Sequence, residues 1–309
     1  MSNHHPKHVF GGQWTEEKLD CLRHYLNSYN TALKNTPFKR LYIDAFAGTG
    51  ERYSRDGTAE KAQPALLEVT QAQAEFFEGS VRVALNADPS FDALHLIEAS
   101  TAKCAQLARL KAEFPDRAIN IYHGDANTQI AGICKSVDWH GRRTGVQHRA
   151  VLFLDPYGCQ VKWETIRAIA ATRAIDLWYL FPSGLGINRM AANRRERIPE
   201  NWEPTLDACL GTGEWRTAFY QEHTTINLFG EATTETHKVA NIDHIEQFFL
   251  DRLKTVFSHV APSCLTLSNG SGSKMFSLCF AANNPKGGPI ALRIANHLLT
   301  KKRGSGGRR

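Results

Sequence analysis

The chain has 309 residues, of which 42% are apolar and 22% are charged, as is usual for a globular protein with a large core. It contains no apolar run of membrane-spanning length, and its first residues lack the apolar stretch of a signal peptide. Five of the cations lie in the last nine residues, KKRGSGGRR, which leaves +1 of the net charge of +6 for the rest of the chain. These features exclude a membrane protein and a secreted disulfide scaffold, and we expect a cytoplasmic protein.

Cysteine usage agrees with a reducing compartment. The seven cysteines are odd in number, scattered, and without a CxxC pair. This pattern predicts no zinc or iron–sulfur site and no other resident metal. The stretch HHPKH near the start is interpreted as a histidine-rich end rather than a metal site.

Residues 1–40 are predicted to form a helical lead-in, because leucines and a tyrosine recur at helical spacing between residues 19 and 33. Five short apolar runs follow: LYIDAF (41–46), ALHLIEA (93–99), INIYHGD (119–125), AVLFLDP (150–156) and IDLWYLFP (175–182). Amphipathic helical stretches lie among them at 64–77, 101–114 and 161–172. Apolar strands that alternate with helices predict a doubly wound, Rossmann-like α/β core over residues 41–185, with a mostly parallel sheet.

The last third of the chain predicts an insertion followed by completion of the sheet. Residues 186–235 are rich in Arg and Trp and have a poor strand signal, so we interpret them as a helical insertion or lid. Over 236–300 we expect an amphipathic helix, two strands joined by the turn GSGS and a last helix, which together supply an antiparallel edge. Residues 301–309 form a flexible basic tail in this interpretation.

Acidic residues follow four consecutive strands, at the edge where open α/β sheets bind ligands. Asp44 precedes a turn with Gly48 and Gly50, and Glu98 and Asp125 follow the next two strands. The glycines lack the GK[ST] of a P-loop and the GxGxxG of a dinucleotide site, and clustered carboxylates disfavour phosphate. Such a cleft suits S-adenosylmethionine, which carries a sulfonium, an ammonium, a ribose diol and an adenine amine, and no phosphate.

Each acidic residue receives one part of this cofactor. Asp44 and the glycine turn would face the amino-acid end, Glu98 the ribose hydroxyls, and Asp125 the adenine amine. The predicted cofactor-binding set is Asp44, Phe46, Gly48, Gly50, Glu98, Asp125 and Ala126. Each residue alone also has a structural interpretation, as a helix cap or a plain turn, but their order on successive strands favours a cofactor site.

The tetrapeptide Asp155-Pro156-Tyr157-Gly158 after the fourth strand predicts the reaction. An exocyclic amine is a poor nucleophile, and a carboxylate and a carbonyl that accept its N–H bonds would orient it toward a methyl group. Tyr157 would stack on a base turned out of its helix. We therefore predict Asp155, Pro156 and Tyr157 as catalytic. The structural alternative is a strand-ending Asp, with Pro156 at the start of a helix and Tyr157 in the core.

Two basic stretches, 140–149 and 188–197, are expected to flank this face. Their predicted substrate-binding residues are Arg142, Arg143, Arg189, Arg194 and Arg195, which would contact phosphates, with Trp202 or Trp215 available for stacking. The alternative for each stretch is a solvated loop.

The chain resembles the class I S-adenosylmethionine-dependent methyltransferases and, more closely, the three-Cys-motif partner protein family. The resemblance is carried by WTEEKL, YIDAFAGTG (42–50), LIEAS (96–100), HGDAN (123–127), FLDPYG (153–158), LFPSGL (180–185) and KMFSLCFAANN (274–284). FLDPYG is also similar to the D-P-P-Y motif of amino methyltransferases and the D-P-F-G of tRNA guanine-N2 methyltransferases. The family resemblance implies a partner protein with three cysteines, similar to radical S-adenosylmethionine enzymes.

Several functions stay open at this point. The first is a methyltransferase that acts on an amine of a nucleic acid, with RNA favoured. The second is a non-catalytic cofactor-binding partner that docks the three-cysteine protein. Methylation of a protein or small molecule is a third, since the body of the chain is nearly neutral, and the glycine spacing disfavours a dehydrogenase.

Overall fold

The computed structural model describes residues 13–47, 79–226, 229 and 232–300. Several predictions lie outside these residues: the histidine-rich end, the turn with Gly48 and Gly50, the helix over 64–77 and the basic tail. Within the described part of the chain, no helix is long and apolar enough to cross a membrane.

Ten strands are described. They are β1 (Lys39–Asp44), β2 (Ala93–Glu98), β3 (Ile119–His123), β4 (His148–Leu154), β5 (Ile175–Phe181), β6 (Tyr220–Ile226), β7 (Ala232–Lys238), β8 (His259–Val260), β9 (Leu265–Ser268) and β10 (Lys274–Ala282). The described helices are α1 (Gln13–Leu33), α2 (79–85), α3 (Thr101–Glu113), α4 (Ala126–Ser136), α5 (Trp163–Ala171), α6 (Glu203–Leu210), α7 (Trp215–Phe219), α8 (Ile242–Lys254) and α9 (Gly288–Thr300).

The central sheet has eight strands, in the order β3-β2-β1-β4-β5-β10-β8, with β9 also paired to β10. Strands β1 to β5 are parallel, and β10 is antiparallel to β5, β8 and β9. This confirms the predicted doubly wound, Rossmann-like α/β fold with an antiparallel edge. The chain starts in the middle of the sheet at β1, moves outward to β3 and returns to β4 on the other side of β1, so the strand order reverses between β1 and β4.

Both faces of the sheet are covered, which explains the nearly continuous apolar runs. Successive residues of β4 point to opposite faces: Leu152 and Leu154 join the core beneath α4, α5 and α8, whereas Val151 and Phe153 join the core beneath α1 and α9. All seven residues of β5 are buried. A strand covered on both sides has apolar residues at nearly every position, as β5 does except at Asp176, so it shows no alternation in sequence.

The insertion after β5 is helical only in its first part. A π-helix (Ser183–Asn188), a 3-10 turn (Arg195–Arg197), α6 and α7 occupy it up to Phe219, but β6 and β7 then form a separate two-stranded antiparallel sheet. These two strands were not predicted from the sequence. Their segments, YQEHTTI and ATTETHK, are polar on both sides but rich in β-branched threonine, which favours an extended backbone.

Candidate active site

The carboxyl ends of β1 and β4 lie side by side at the point where the strand order reverses. Asp44, the last residue of β1, is paired in register with Phe153 of β4, and Asp155 follows two residues later. Glu98 ends β2 on the other side of β1. The structure thus brings three of the predicted acidic residues to one edge, where open α/β sheets bind their ligands.

Asp44 is a buried carboxyl held by two hydroxyl groups. Its side chain is 1% exposed, and its Oδ2 accepts hydrogen bonds from Ser80 Oγ at 2.9 Å and Tyr42 Oη at 3.1 Å. Burial raises the pKa of Asp44 to about 6, and the hydrogen bonds from Ser80 and Tyr42 offset only part of that rise. The carboxyl at the end of β1 therefore titrates close to neutral pH.

Asp155 forms an ion pair with a lysine from the first helix. Lys18 Nζ lies 2.9 Å from Asp155 Oδ2; the Lys18 side chain is fully buried and that of Asp155 is 8% exposed. Burial lowers the pKa of Lys18, whereas the charges of Asp155 and Asp44 raise it. The second oxygen, Asp155 Oδ1, is buried and accepts no hydrogen bond from the described residues. An acceptor oxygen is thus left at the carboxyl end of β4.

Lys18 is a site residue that the sequence analysis missed. From sequence, the segment WTEEKL was interpreted only as part of the helical lead-in and of the family resemblance. The signal was nevertheless present, because Lys18 shares a helical face with Leu22, Tyr25 and Tyr29, all of which are buried. A lysine on the apolar face of a helix costs several kcal/mol unless a counter-charge receives it.

Asp125 makes the capping contact that its structural interpretation requires, whereas Glu98 makes a local contact without being the cap of a helix. Glu98 is 7% exposed, and its Oε1 accepts the backbone N–H of Ser100 at 2.6 Å. Asp125 is exposed and caps α4, since its Oδ1 accepts the N–H of Thr128 at 2.9 Å. Ala126 follows as the buried first residue of α4.

The tetrapeptide after β4 does not adopt the structural alternative considered from sequence. Helix α5 begins at Trp163, so Pro156 is not the first residue of a helix. Pro156 is nevertheless buried. Tyr157 is half-buried, and its backbone N–H donates to Gln160 Oε1 at 3.0 Å. The segment is thus an irregular turn at the edge of the sheet. Phe46, beyond β1, is half-buried against the core.

The two basic stretches lie at different ends of the sheet. Arg142 and Arg143 precede β4, and their backbone N–H groups donate to the Asp138 carboxylate at 2.9 and 2.7 Å. They therefore lie at the amino end of β4. Because this strand has seven residues, its amino end is about 20 Å from its carboxyl end. The expectation that the stretch 140–149 flanks the acidic edge is wrong, because proximity in sequence to a strand does not specify which end is approached.

The second basic stretch begins at residue 188, at the end of the π-helix that follows the carboxyl end of β5. Arg189 is exposed, Arg194 pairs with Glu235 at 2.9 Å, and Arg195 contacts Glu203 at 3.5 Å. The expected stacking role of Trp215 is wrong, since its side chain is fully buried and its Nε1 donates to an aspartate at 2.8 Å. Trp202 is half-buried against the core.

No protein-family model and no curated protein matches the chain. Among solved structures, it is similar to protein LPL1258 of Legionella pneumophila (14% identity, 95% of this chain and 93% of that one, TM-score 0.42). It is also similar to a spermidine synthase in complex with the analogue AdoDATO (12% identity, 94% and 65%, TM-score 0.41) and to an S-adenosylmethionine-dependent methyltransferase of Clostridium acetobutylicum (7%, 86% and 92%, TM-score 0.36). Similarities of this strength carry no functional argument, and the fold assignment rests on the strand order.

Proposed function

We propose that the protein is an S-adenosylmethionine-dependent methyltransferase that acts on an amine of a nucleic acid, with RNA favoured. The observation that carries this proposal is the meeting of Asp44 and Asp155 where the strand order reverses, with Asp155 Oδ1 buried and accepting no hydrogen bond from the described residues. A buried acceptor without a donor costs free energy, and a ligand N–H would recover it.

The donor set of the edge fits this cofactor better than a nucleotide. Carboxylates favour the cationic sulfonium and ammonium, whereas they would repel phosphate. Asp44 would hold the amino-acid end, Glu98 would accept a ribose hydroxyl with the oxygen that Ser100 leaves, and Asp125 would accept the adenine amine beside the N–H of Ala126. When bound, the cofactor supplies an electrophilic methyl group.

The residues after β4 would position the acceptor. Asp155 Oδ1 would accept one N–H of an exocyclic amine, the carbonyl of Pro156 the other, and Tyr157 would pack on the face of the base. Arg189, Arg194 and Arg195 follow the carboxyl end of β5 in the chain and would contact the phosphates of the strand that carries the base. Arg142 and Arg143 have no place in this arrangement.

One contact favours a second candidate function. Because Lys18 already binds Asp155, the chain itself supplies an amine to the carboxylate that would otherwise receive the acceptor. That is expected of a non-catalytic site whose bound cofactor serves the docking of a partner, here the three-cysteine protein that the family resemblance implies.

Calorimetric titration with S-adenosylmethionine and S-adenosylhomocysteine, with NADH as the control ligand, tests the cofactor. Saturable binding of the first two alone is the expected result, and no binding would refute the proposed cofactor. Radiolabelled methyl transfer to RNA, DNA and protein then tests the reaction. Under the first function, Asp155→Ala abolishes transfer. Cofactor binding without transfer to any acceptor, together with capture of the three-cysteine protein by both wild type and Asp155→Ala, would support the second.

A further inference from the structure

Among the described residues, the Lys18–Asp155 ion pair lies beside a second carboxylate, so Lys18, Asp155 and Asp44 form a group of three charged side chains between the ends of β1 and β4. Lys18 is fully buried, Asp155 is its direct partner at 2.9 Å, and Asp44 contributes a further favourable charge interaction with Lys18. Asp44 and Asp155 also repel each other. With all three groups ionised, two negative charges and one positive charge leave this group with a net charge of −1.

Packing alone does not account for a lysine here. Burial of an ammonium costs several kcal/mol, and an apolar residue of similar size would fill the same space on the buried face of α1. A charged side chain whose burial is unfavourable in free energy is commonly part of the binding site when it lies at a ligand-binding edge. A buried charge acts over several ångströms, because the dielectric constant around it is low. The effect of the Lys18 ammonium on ligand binding therefore depends on the charge of the ligand.

We propose that Lys18 is a specificity-determining residue, whose ammonium offsets one of the two carboxylate charges beside it and thereby sets the balance between a monocationic and a neutral ligand. The inference rests on the proposed function. S-adenosylmethionine carries a net charge of +1, from its sulfonium, ammonium and carboxylate, whereas S-adenosylhomocysteine has lost the sulfonium charge and is neutral. The net charge of −1 on Lys18, Asp155 and Asp44 complements the methyl donor. Without Lys18 the charge on the two carboxylates would be −2, and they would favour the cation more strongly.

The experiment measures dissociation constants of both compounds by calorimetry at pH 8, where Asp44 is ionised. The ratio of the S-adenosylhomocysteine constant to the S-adenosylmethionine constant is the readout, since contacts common to the two ligands cancel in it. We expect this ratio to rise about tenfold in Lys18→Met and to fall about tenfold in Asp155→Asn. The double variant restores the wild-type charge and should return the ratio to within about threefold of wild type.

Two further variants separate charge from structure. Lys18→Arg keeps the positive charge and should keep the wild-type ratio. Arg23→Met removes an exposed ion pair, with Asp20, from the same helix and should also leave the ratio unchanged. If Lys18→Met does not fold, Asp155→Asn and Lys18→Arg still give different expectations, since the ratio should fall about tenfold in the first and stay at the wild-type value in the second.

The outcomes separate this inference from the proposed function. A wild type that binds both compounds, with a ratio in Lys18→Met within about twofold of the wild-type ratio, would overturn the role of Lys18 and leave the cofactor assignment intact. If Lys18→Met does not fold, ratios in Asp155→Asn and Lys18→Arg within about twofold of each other would do the same. Wild type that binds neither compound would overturn both.

Discussion

The phenol of Tyr25 donates a hydrogen bond to Asp176 Oδ2 at 2.8 Å, and both side chains are buried. Tyr25 follows Lys18 on α1 by two helical turns, about 10 Å. Asp176 lies near the amino end of β5, whereas Asp155 follows the carboxyl end of β4. Helix α1 thus makes one buried polar contact toward each end of the parallel strands. Lys18 contacts Asp155 at the carboxyl end, where the candidate site lies, and Tyr25 contacts Asp176 toward the amino end.

Asp176 should make the protein less stable as the pH rises through neutrality. Burial raises the pKa of Asp176 to about 7, above its ordinary value of 3.8, although Tyr25 and Arg149 oppose the rise. Between these values the folded state binds more protons than the unfolded state. The contribution of Asp176 is therefore fully present below about pH 4 and is lost as the pH rises through about 7.

Asp176→Asn keeps an acceptor for Tyr25 and removes this titration. Wild type should lose about 2 kcal/mol more free energy of unfolding than Asp176→Asn between pH 5 and pH 8, as measured by urea denaturation. Asp20→Asn, an exposed position on α1, is the control and should behave as wild type. Equal losses in wild type and Asp176→Asn would contradict the assignment.

Asp44 should make S-adenosylmethionine binding dependent on pH. Because the pKa of this carboxyl is about 6, its charge is lost as the pH falls through that value, and the affinity for a cationic ligand should fall with it. Asp44→Asn should weaken binding by more than about tenfold at pH 8 and flatten the dependence.

Tyr42→Phe is the matched variant for Asp44. It removes one hydrogen bond that lowers the pKa of Asp44 and keeps the carboxylate, so it should shift the pH profile upward with little change at pH 8.5. Calorimetry from pH 5 to pH 8.5 measures both variants. Unchanged affinity in Asp44→Asn would remove Asp44 from the site.

Asp125 combines a structural contact with a proposed ligand contact, and two substitutions separate them. Asp125→Ala should lose the cap of α4 and about 1 kcal/mol of stability, whereas Asp125→Ser keeps a good capping residue. Both remove the carboxylate and should weaken S-adenosylmethionine binding about tenfold. Paired urea denaturation and calorimetry provide the comparison. Wild-type affinity in Asp125→Ser would show that Asp125 is a helix cap only.

Gly211 should tolerate no side chain. It has φ +69° at the end of α6, and an added Cβ would overlap the ring of Trp163. Arg252 reinforces this junction, because its guanidinium lies 4.9 Å from the centre of a Trp163 ring and donates to the Gly211 carbonyl at 3.0 Å. Gly211→Ala should cost at least about 3 kcal/mol in urea denaturation.

Gly145 provides the control for that substitution. It also has a positive φ, of +74°, but nothing lies within 4 Å of an added Cβ. Gly145→Ala should therefore cost only about 1 kcal/mol, the penalty of the backbone conformation alone. Similar losses at the two glycines would mean that overlap with Trp163 is relieved at little cost.

The two basic stretches should differ in their effect on RNA binding. Arg189→Ala, directly after the π-helix that follows β5, should weaken binding and reduce the salt dependence by about one phosphate contact. The double variant Arg142→Ala/Arg143→Ala removes twice the charge from the amino end of β4 and should have little effect. Fluorescence anisotropy with labelled RNA over a series of salt concentrations measures both. A larger loss in the double variant would place the RNA at the opposite end of the sheet.

A feature of the structure could be predicted from sequence when the residues that determine it lie close together in the chain. The strand ending in Asp44 and the helix from Thr101 were predictable, because burial on one or two faces imposes a spacing of apolar residues that can be read within ten residues. The hairpin of β6 and β7 has polar residues on both sides and lacks that spacing. Trp215 was assigned to stacking because its residue type does not reveal its burial.

The sequence by itself determined the α/β fold, the antiparallel edge and the order of acidic residues after successive strands, since these depend on periodicity and on the common edge of parallel strands. Only the tertiary structure decided that Lys18 pairs with Asp155, 137 residues away, and that Arg142 and Arg143 lie at the other end of β4. The physical reason is that a buried charge takes its partner from whatever element packs against it. The packing of α1 on the sheet is a property of the whole chain and not of any short segment.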